Sequence, residues 1–190
     1  MTANVDMTAT IFALANVPAP EGIDGKNLLP LLTNTNDKVR DWLPLFNHWG
    51  SVSSQSMAVV SSEWKYIHWY YAGRLKPGDP EVKPIEELFH LTVDRTEMTN
   101  LAAEAHLASK LAAARTAYDA ELAAMKTKVV HGHHYEAYPV LFDRMTSWKS
   151  KEPLLKQITS TSASQEGGGD AKRNPGDSGK SKDRKKARQE

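Results

Sequence analysis

An α+β fold, with a small antiparallel sheet of about four strands packed against one long helix, is what this 190-residue sequence predicts. Three observations carry the expectation. Short β-rich runs separated by Ser, Gly, Pro and Asp occupy residues 43–91. One apolar stripe at helical spacing follows at about 105–126. Residues 157–190 contain no aromatic and, beyond Ile158, no apolar residue except alanine, so this stretch cannot bury a core and is expected to be a disordered basic tail.

In chain order, Asp6 followed by Met7 to Ala15 predicts an N-capped short helix that stops before Pro18 and Pro20. A turn-rich passage, Pro18 to Gly25, leads into Leu28-Leu29-Pro30-Leu31-Leu32, expected as a loop anchored by leucines. Four runs then predict strands: Leu45 to Trp49, Met57 to Val60, Lys65 to Tyr71 and Glu87 to Leu91. Only Ser61-Ser62-Glu63-Trp64 joins the second to the third, which implies a hairpin, and the partial alternation implies one covered face. The cover is supplied by a helix from about Ala105 to Lys126, where Leu107, Leu111, Ala114, Tyr118, Leu122 and Met125 recur at steps of 4, 3, 4, 4 and 3. Residues 129–156 are aromatic but aperiodic and are expected to wrap the body as irregular chain. The division is therefore 1–156 for the folded body and 157–190 for the tail.

Charge nominates no partner. Lys plus Arg number 24 against 23 Asp plus Glu, a net of +1, and the tail's own +3 leaves −2 for the body. Acids interrupt the tail's basic run and no aromatic is present there for base stacking, so nucleic acid is an unlikely partner. No run of about 18 apolar residues spans a bilayer, and Met1 to Asp6 lacks a signal-peptide pattern, so no membrane partner is expected and the compartment stays open. Cysteine is absent, which removes disulfides, thiolate metal sites and a thiol nucleophile.

Several residues invite a chemical reading. His131-Gly132-His133-His134 offers imidazoles, but without regular spacing or a thiolate to complete a shell it is expected as exposed coil rather than a metal site. The aromatic strand Trp64 to Tyr71 could stack sugars or bases, although aromatics in strands more often serve sheet packing. His48 and Trp49 end a strand just before Gly50, a place where side chains often face a cleft. No Gly-rich phosphate loop, Gly-x-Ser-x-Gly elbow or His-Glu-x-x-His helix is present, so no catalytic residue and no metal ligand is assigned.

The order of residues in Val5 to Pro18 and Gly25-Lys26-Asn27-Leu28-Leu29-Pro30-Leu31-Leu32 resembles the late part of the type I sulfatases. There an Asp-headed helix leads through a proline-rich turn to Gly-x-Ser/Asn-Leu-Leu-Pro-Leu-Leu. Trp64-Lys65-Tyr66-Ile67 looks like that family's strand, and Glu87 to Ala102 looks like its Glu-Leu-Tyr-Asp-Leu…Asp-Pro…Glu…Asn-Leu-Ala signature. The departures are Phe89 for Tyr, His90 for Asp and Arg95 for Pro, the last freeing backbone that proline would fix. Together the blocks span about residues 5–150.

The resemblance implies a sulfuric ester hydrolase of which this chain is the C-terminal subdomain. Sulfatases use a formylglycine made from Cys or Ser in Cys/Ser-x-Pro-x-Arg, and bind calcium through Asp and Asn or Gln, all in an upstream α/β domain with the catalytic Lys and His. No such motif occurs here, so calcium and formylglycine are implied only for that separate domain, which would be this chain's partner, with a sulfate ester as substrate of the whole. By resemblance His48, Trp49 and Lys65 are candidate substrate contacts at the entrance, and the isolated chain is expected to be inactive. A different class stays open: a non-catalytic module that holds glycans, sulfated polymers or nucleic acid through the aromatic strand or the basic tail. Family members are periplasmic, secreted or lysosomal.

Overall fold

The computed structural model describes residues 1–34, 37–47, 56–69, 85–128 and 134–155. Four strands, β1 (Leu43–Asn47), β2 (Ser56–Val60), β3 (Trp64–Trp69) and β4 (Ile85–His90), form one antiparallel sheet in the order β1-β2-β3-β4. The expected hairpin is present: Ser56 to Val60 pair with Trp69 to Lys65. Its turn is built by Ser61, whose hydroxyl accepts from the Trp64 amide at 2.9 Å and whose own amide donates to Trp64 O at 2.8 Å.

Strand alternation divides the sheet into two faces. Met57, Val59, Tyr66, His68, Glu86 and Leu88 point to one face, and the long helix covers it. This helix, α3 (Ala108–Lys126), follows a 3₁₀ turn over Ala105–Leu107 and buries Leu111, Ala114, Tyr118 and Leu122 against the sheet. Those four belong to the stripe expected from sequence; Leu107 and Met125, at its ends, are half-buried. Full burial of each large apolar side chain is worth about 1.5–3 kcal/mol, so the stripe is the main hydrophobic contribution of α3. Tyr118 stands edge-on to Tyr66 at 5.5 Å between ring centres. The opposite face holds Ala58, Ile67 and Phe89, with Trp69 and Leu91 packed against them.

Three expectations are corrected. The chain from 134 to 155 is not irregular: it forms a 3₁₀ turn (His134–Ala137), a short helix α4 (Tyr138–Leu141) and a further helix α5 over 148–155. The reason is packing, since Leu141 and Phe142 are fully buried and the Tyr118 hydroxyl donates to Phe142 O at 2.7 Å. Short turns held this way need no helical periodicity of their own. Residues 129–133 of that expected wrap, and the tail 157–190, lie outside the described residues. Second, the leucine-anchored segment is not all loop, because Leu29–Thr33 forms a short helix, α2, with Pro30 in its first turn.

Third, Asp6 does not cap α1 (Asp6–Leu14) from outside; it is the first helical residue, behind Val5. Its side chain is fully buried and does a different task. Arg40 grips the carboxylate with both terminal nitrogens, at 2.6 and 2.5 Å, and the amides of Ala3 and Lys26 donate to it at 2.7 and 2.8 Å. Arg40 and these amides hold its carboxyl well below the usual carboxylate range, against the opposing effect of burial. Thr10 adds a second tie, accepting from the Leu28 amide at 3.0 Å. Gly25 is required where this loop meets α1, because a Cβ there would stand 2.1 Å from Val5 O. The helix ends in a Schellman motif: Asn16 takes φ 54°, its amide donates to Ala13 O, and the Val17 amide donates to Phe12 O at 2.9 Å.

Replacing Arg40 by Met leaves the Asp6 carboxylate buried without its counter-charge. Chemical denaturation at neutral pH is expected to show a loss of about 3–5 kcal/mol, larger than for the double variant Asp6→Leu/Arg40→Met, which removes both charges.

Candidate functional site

Among the described residues, chemistry-bearing side chains gather at two places on the sheet: the end where β3 and β4 meet the turn 91–102, and the helix-covered face around Glu86. The first contains the block Glu87 to Ala102. Asp94 accepts from the amides of Met98 and Thr99 at 2.8 and 2.9 Å and from the Thr96 hydroxyl at 3.2 Å. These bonds, the Thr99 amide first, lower its pKa. They close a turn in which Glu97 adopts φ 56°, a left-handed conformation that costs a non-glycine residue about 1 kcal/mol. That geometry delivers the Glu97 carboxylate to Lys65 Nζ at 2.6 Å. Asn100 then seals the edge of β4: its Oδ1 accepts from Leu88 N at 3.0 Å, its Nδ2 donates to Glu86 O at 3.1 Å, and Leu101 N donates to Leu88 O at 2.8 Å. At the same end His90 stacks flat on Trp64, with ring centres 4.3 Å apart, and its Nε2 lies 3.0 Å from the Thr92 hydroxyl.

Lys65, expected as a substrate contact, is thus placed on the strand face away from α3 and paired with Glu97. His48 and Trp49, the other two, lie outside the described residues, as do His131 and His133. Among the described residues no group of three or more His, Cys, Asp or Glu could hold a metal ion, and no helix is long and apolar enough to cross a membrane.

The second place was not anticipated from sequence. Glu86, on the helix-covered face of β4, accepts from the Tyr66 hydroxyl and from Arg115 of α3 through both Nε, at 2.9 Å, and Nη2. Arg144 lies 3.6 Å from the same carboxylate and grips Asp119 with two bonds, at 3.0 and 2.7 Å. Burial pushes the Glu86 pKa up, but the Arg115 and Tyr66 hydrogen bonds outweigh it, so the group is held ionised. The one signal available in the sequence was spacing: Arg115 and Asp119 sit four residues apart beside the stripe positions Leu111, Ala114 and Tyr118. Nothing local indicated that Glu86 would be their anchor.

With this geometry in place, comparison with known proteins decides the family. Residues 1–121 match the model described as "N-sulphoglucosamine sulphohydrolase, C-terminal". The chain belongs to this sulfatase family. Arylsulfatase K of Rattus norvegicus is 33% identical over 107 residues, covering 53% of this chain and 17% of that protein. Arylsulfatase K of Homo sapiens is 29% identical over 105 residues, covering 52% and 18%. The chain thus spans less than a fifth of the length of these relatives. Among solved structures, BT4656 in complex with its substrate D-glucosamine-2-N,6-O-disulfate superposes with a TM-score of 0.51 at 23% identity, covering 63% of this chain and 24% of that one. This likeness shows the shared fold: sheet and covering helix are those of a sulfatase C-terminal part. The motif residues that carry the resemblance, Asp94, Glu97, Asn100 and Leu101, are all engaged in closing the β4 turn.

An Asn100→Ala variant leaves the Leu88 amide without its acceptor. It is expected to lose about 1–3 kcal/mol in thermal or urea unfolding, with faster amide exchange at Leu88.

Proposed function

We propose that this chain is the non-catalytic C-terminal part of a sulfuric ester hydrolase, and that turnover requires an α/β domain bearing the formylglycine nucleophile and the calcium site. The family match supports the enzyme class, and one structural observation supports the partnership. Met7, Ile11 and Leu14 are spaced i, i+4, i+7 along α1, so they form one apolar stripe, and each is more than half exposed. A stripe of that kind fits a helix whose outer face is covered by another body. The Asp6 clamp on the adjoining face of α1 fixes the angle at which the stripe is presented.

The residues present do not fit the family's reactive groups. Sulfate ester attack needs an activated nucleophile and a cation on the sulfate oxygens. This sequence holds no cysteine and no Ser-x-Pro-x-Arg, and its described residues hold no carboxylate cluster for calcium. No step of the reaction is therefore derived through this chain. Its contribution in this reading is to complete the substrate entrance, where Lys65, with His48 and Trp49, would meet the anionic ester. Pairing with Glu97 keeps the Lys65 ammonium in place, and exchange of one anion for another at an ammonium is chemically simple.

The pure chain is expected to show no aryl sulfate hydrolysis, and adding a separately produced sulfatase catalytic domain of the same family is expected to give a complex on size-exclusion chromatography. Hydrolysis by the pure chain sinks the reading. Ile11→Asp, at an exposed position, is expected to alter the chain's own stability by less than about 0.5 kcal/mol yet abolish the complex. In an active assembly Lys65→Met should raise KM for the ester with kcat little changed.

A further inference from the structure

Of the 11 glycines in the sequence, Gly25 alone follows an aspartate or an asparagine. Such a pair carries chemistry in its own main chain. The amide nitrogen after an aspartate is placed to close a five-membered ring on the side-chain carboxyl carbon, and a glycine puts no side chain in the way. Whether Asp24 and Gly25 are free to react in this way is a question of how each is held.

Asp24 ends the passage that follows α1. Residues 17–22 are exposed, and the Asp24 side chain keeps 73% of its accessible surface. The Gly25 amide, the nucleophile of such a ring closure, donates to no described residue. On the far side of the pair the chain is fixed. Gly25 is buried against Val5 O, where an added Cβ would stand at 2.1 Å, and the next amide, that of Lys26, donates to Asp6 at 2.8 Å. A loose carboxyl therefore lies next to a nitrogen that is held still and not otherwise engaged. One tie opposes their meeting: Lys128, just beyond α3, holds Asp24 Oδ1 at 3.0 Å. Both side chains of that pair are more than half exposed, so the tie is weak in water.

We propose that Asp24-Gly25 is a site of spontaneous self-modification, at which the main chain converts to a β-linked isoaspartate, and that Lys128 restrains it. The Gly25 nitrogen gives up its proton and bonds to Asp24 Cγ, and a carboxyl oxygen leaves as water, which closes an imide. Solvent water then adds to the imide carbonyl that was the Asp24 main-chain carbonyl. The bond from that carbon to the Gly25 nitrogen breaks, and the carbon becomes the free carboxylate. Water is lost once and regained once, so mass and oxidation state are unchanged and no other reagent is consumed.

The product has one more carbon in the main chain between residues 24 and 25. Gly25 has no room to take up the added length, since Val5 O blocks it and Lys26 is tied to Asp6. The length goes instead into the exposed loop, and the displaced carboxylate leaves Lys128. The modification thus unties the α1–α2 connection from the end of α3, while the Asp6 grip on Arg40 keeps its groups unaltered.

Peptide mapping of the full chain, kept for weeks in neutral buffer at about 37 °C, tests this. An isoaspartyl isomer of unchanged mass is expected at residue 24, accumulating at least about tenfold faster than at any other aspartate of residues 1–155. Asp24→Asn is expected to give the same product faster, by loss of ammonia in place of water. Asp24→Glu is expected to give none, because its ring needs a further carbon. Lys128→Met is expected to speed the native reaction at least about twofold. Isomer at residue 24 in the urea-unfolded chain but not in the folded one overturns the proposal, as does accumulation there no faster than at the other aspartates. An unchanged or slower rate in Lys128→Met overturns the restraint. This inference is independent of the sulfatase reading, because it concerns only contacts within the chain.

Discussion

Glu86 is the group on which the arrangement of helix over sheet depends. Hydrophobic burial of Leu111, Ala114, Tyr118 and Leu122 draws α3 onto the strands, but that attraction has no direction and tolerates sliding. The Glu86 carboxylate supplies direction. It joins β4 to β3 through Tyr66, to α3 through the two-nitrogen grip of Arg115, and to the chain after α4 through Arg144. A partly buried carboxylate has strong demands: with its partners in place it is held ionised, and with one removed the others face an uncompensated charge. The position of α3 along the strands, the edge-on contact of Tyr66 with Tyr118, and the unmet hydrogen-bonding needs of His68 all follow from where Glu86 directs its oxygens.

A second buried carboxylate, Asp6, plays the same part at the N-terminal end. It gathers Ala3, Lys26 and Arg40, segments distant in the chain, around the first turn of α1. The fully buried residues of that helix, Asp6, Ala9 and Thr10, are polar or small, Phe12 is half-buried, and Met7, Ile11 and Leu14 face outward. The exposed stripe of Met7, Ile11 and Leu14 is the physical basis for reading α1 as an element made to be covered by something else.

The family signature in Glu87 to Ala102 proves to be architectural. Asp94 closes the turn, Glu97 pairs with Lys65, and Asn100 satisfies the edge of β4, whose backbone groups would otherwise be open to pairing with other strands. A motif that identifies an enzyme family here specifies how a sheet edge is finished.

The strands, their hairpin and the stripe on α3 were legible in the sequence because each is set by neighbours two, three or four residues away, which is the range over which periodicity speaks. Asp6 was recognised as a helix-start residue for the same local reason, but its ion pair with Arg40 was not, since a partner 34 positions on leaves no periodic trace. The helical turns of 134–155 were missed because their hold comes from Phe142 and Tyr118 rather than from any pattern of their own. Sequence by itself therefore determined the four strands, the long helix, the family and the lack of a cysteine nucleophile. The tertiary structure alone decided which charges meet, namely Glu86 with Arg115 and Arg144, and which are left without an acceptor, namely His68, because burial and pairing are properties of folded distance that no local spacing encodes.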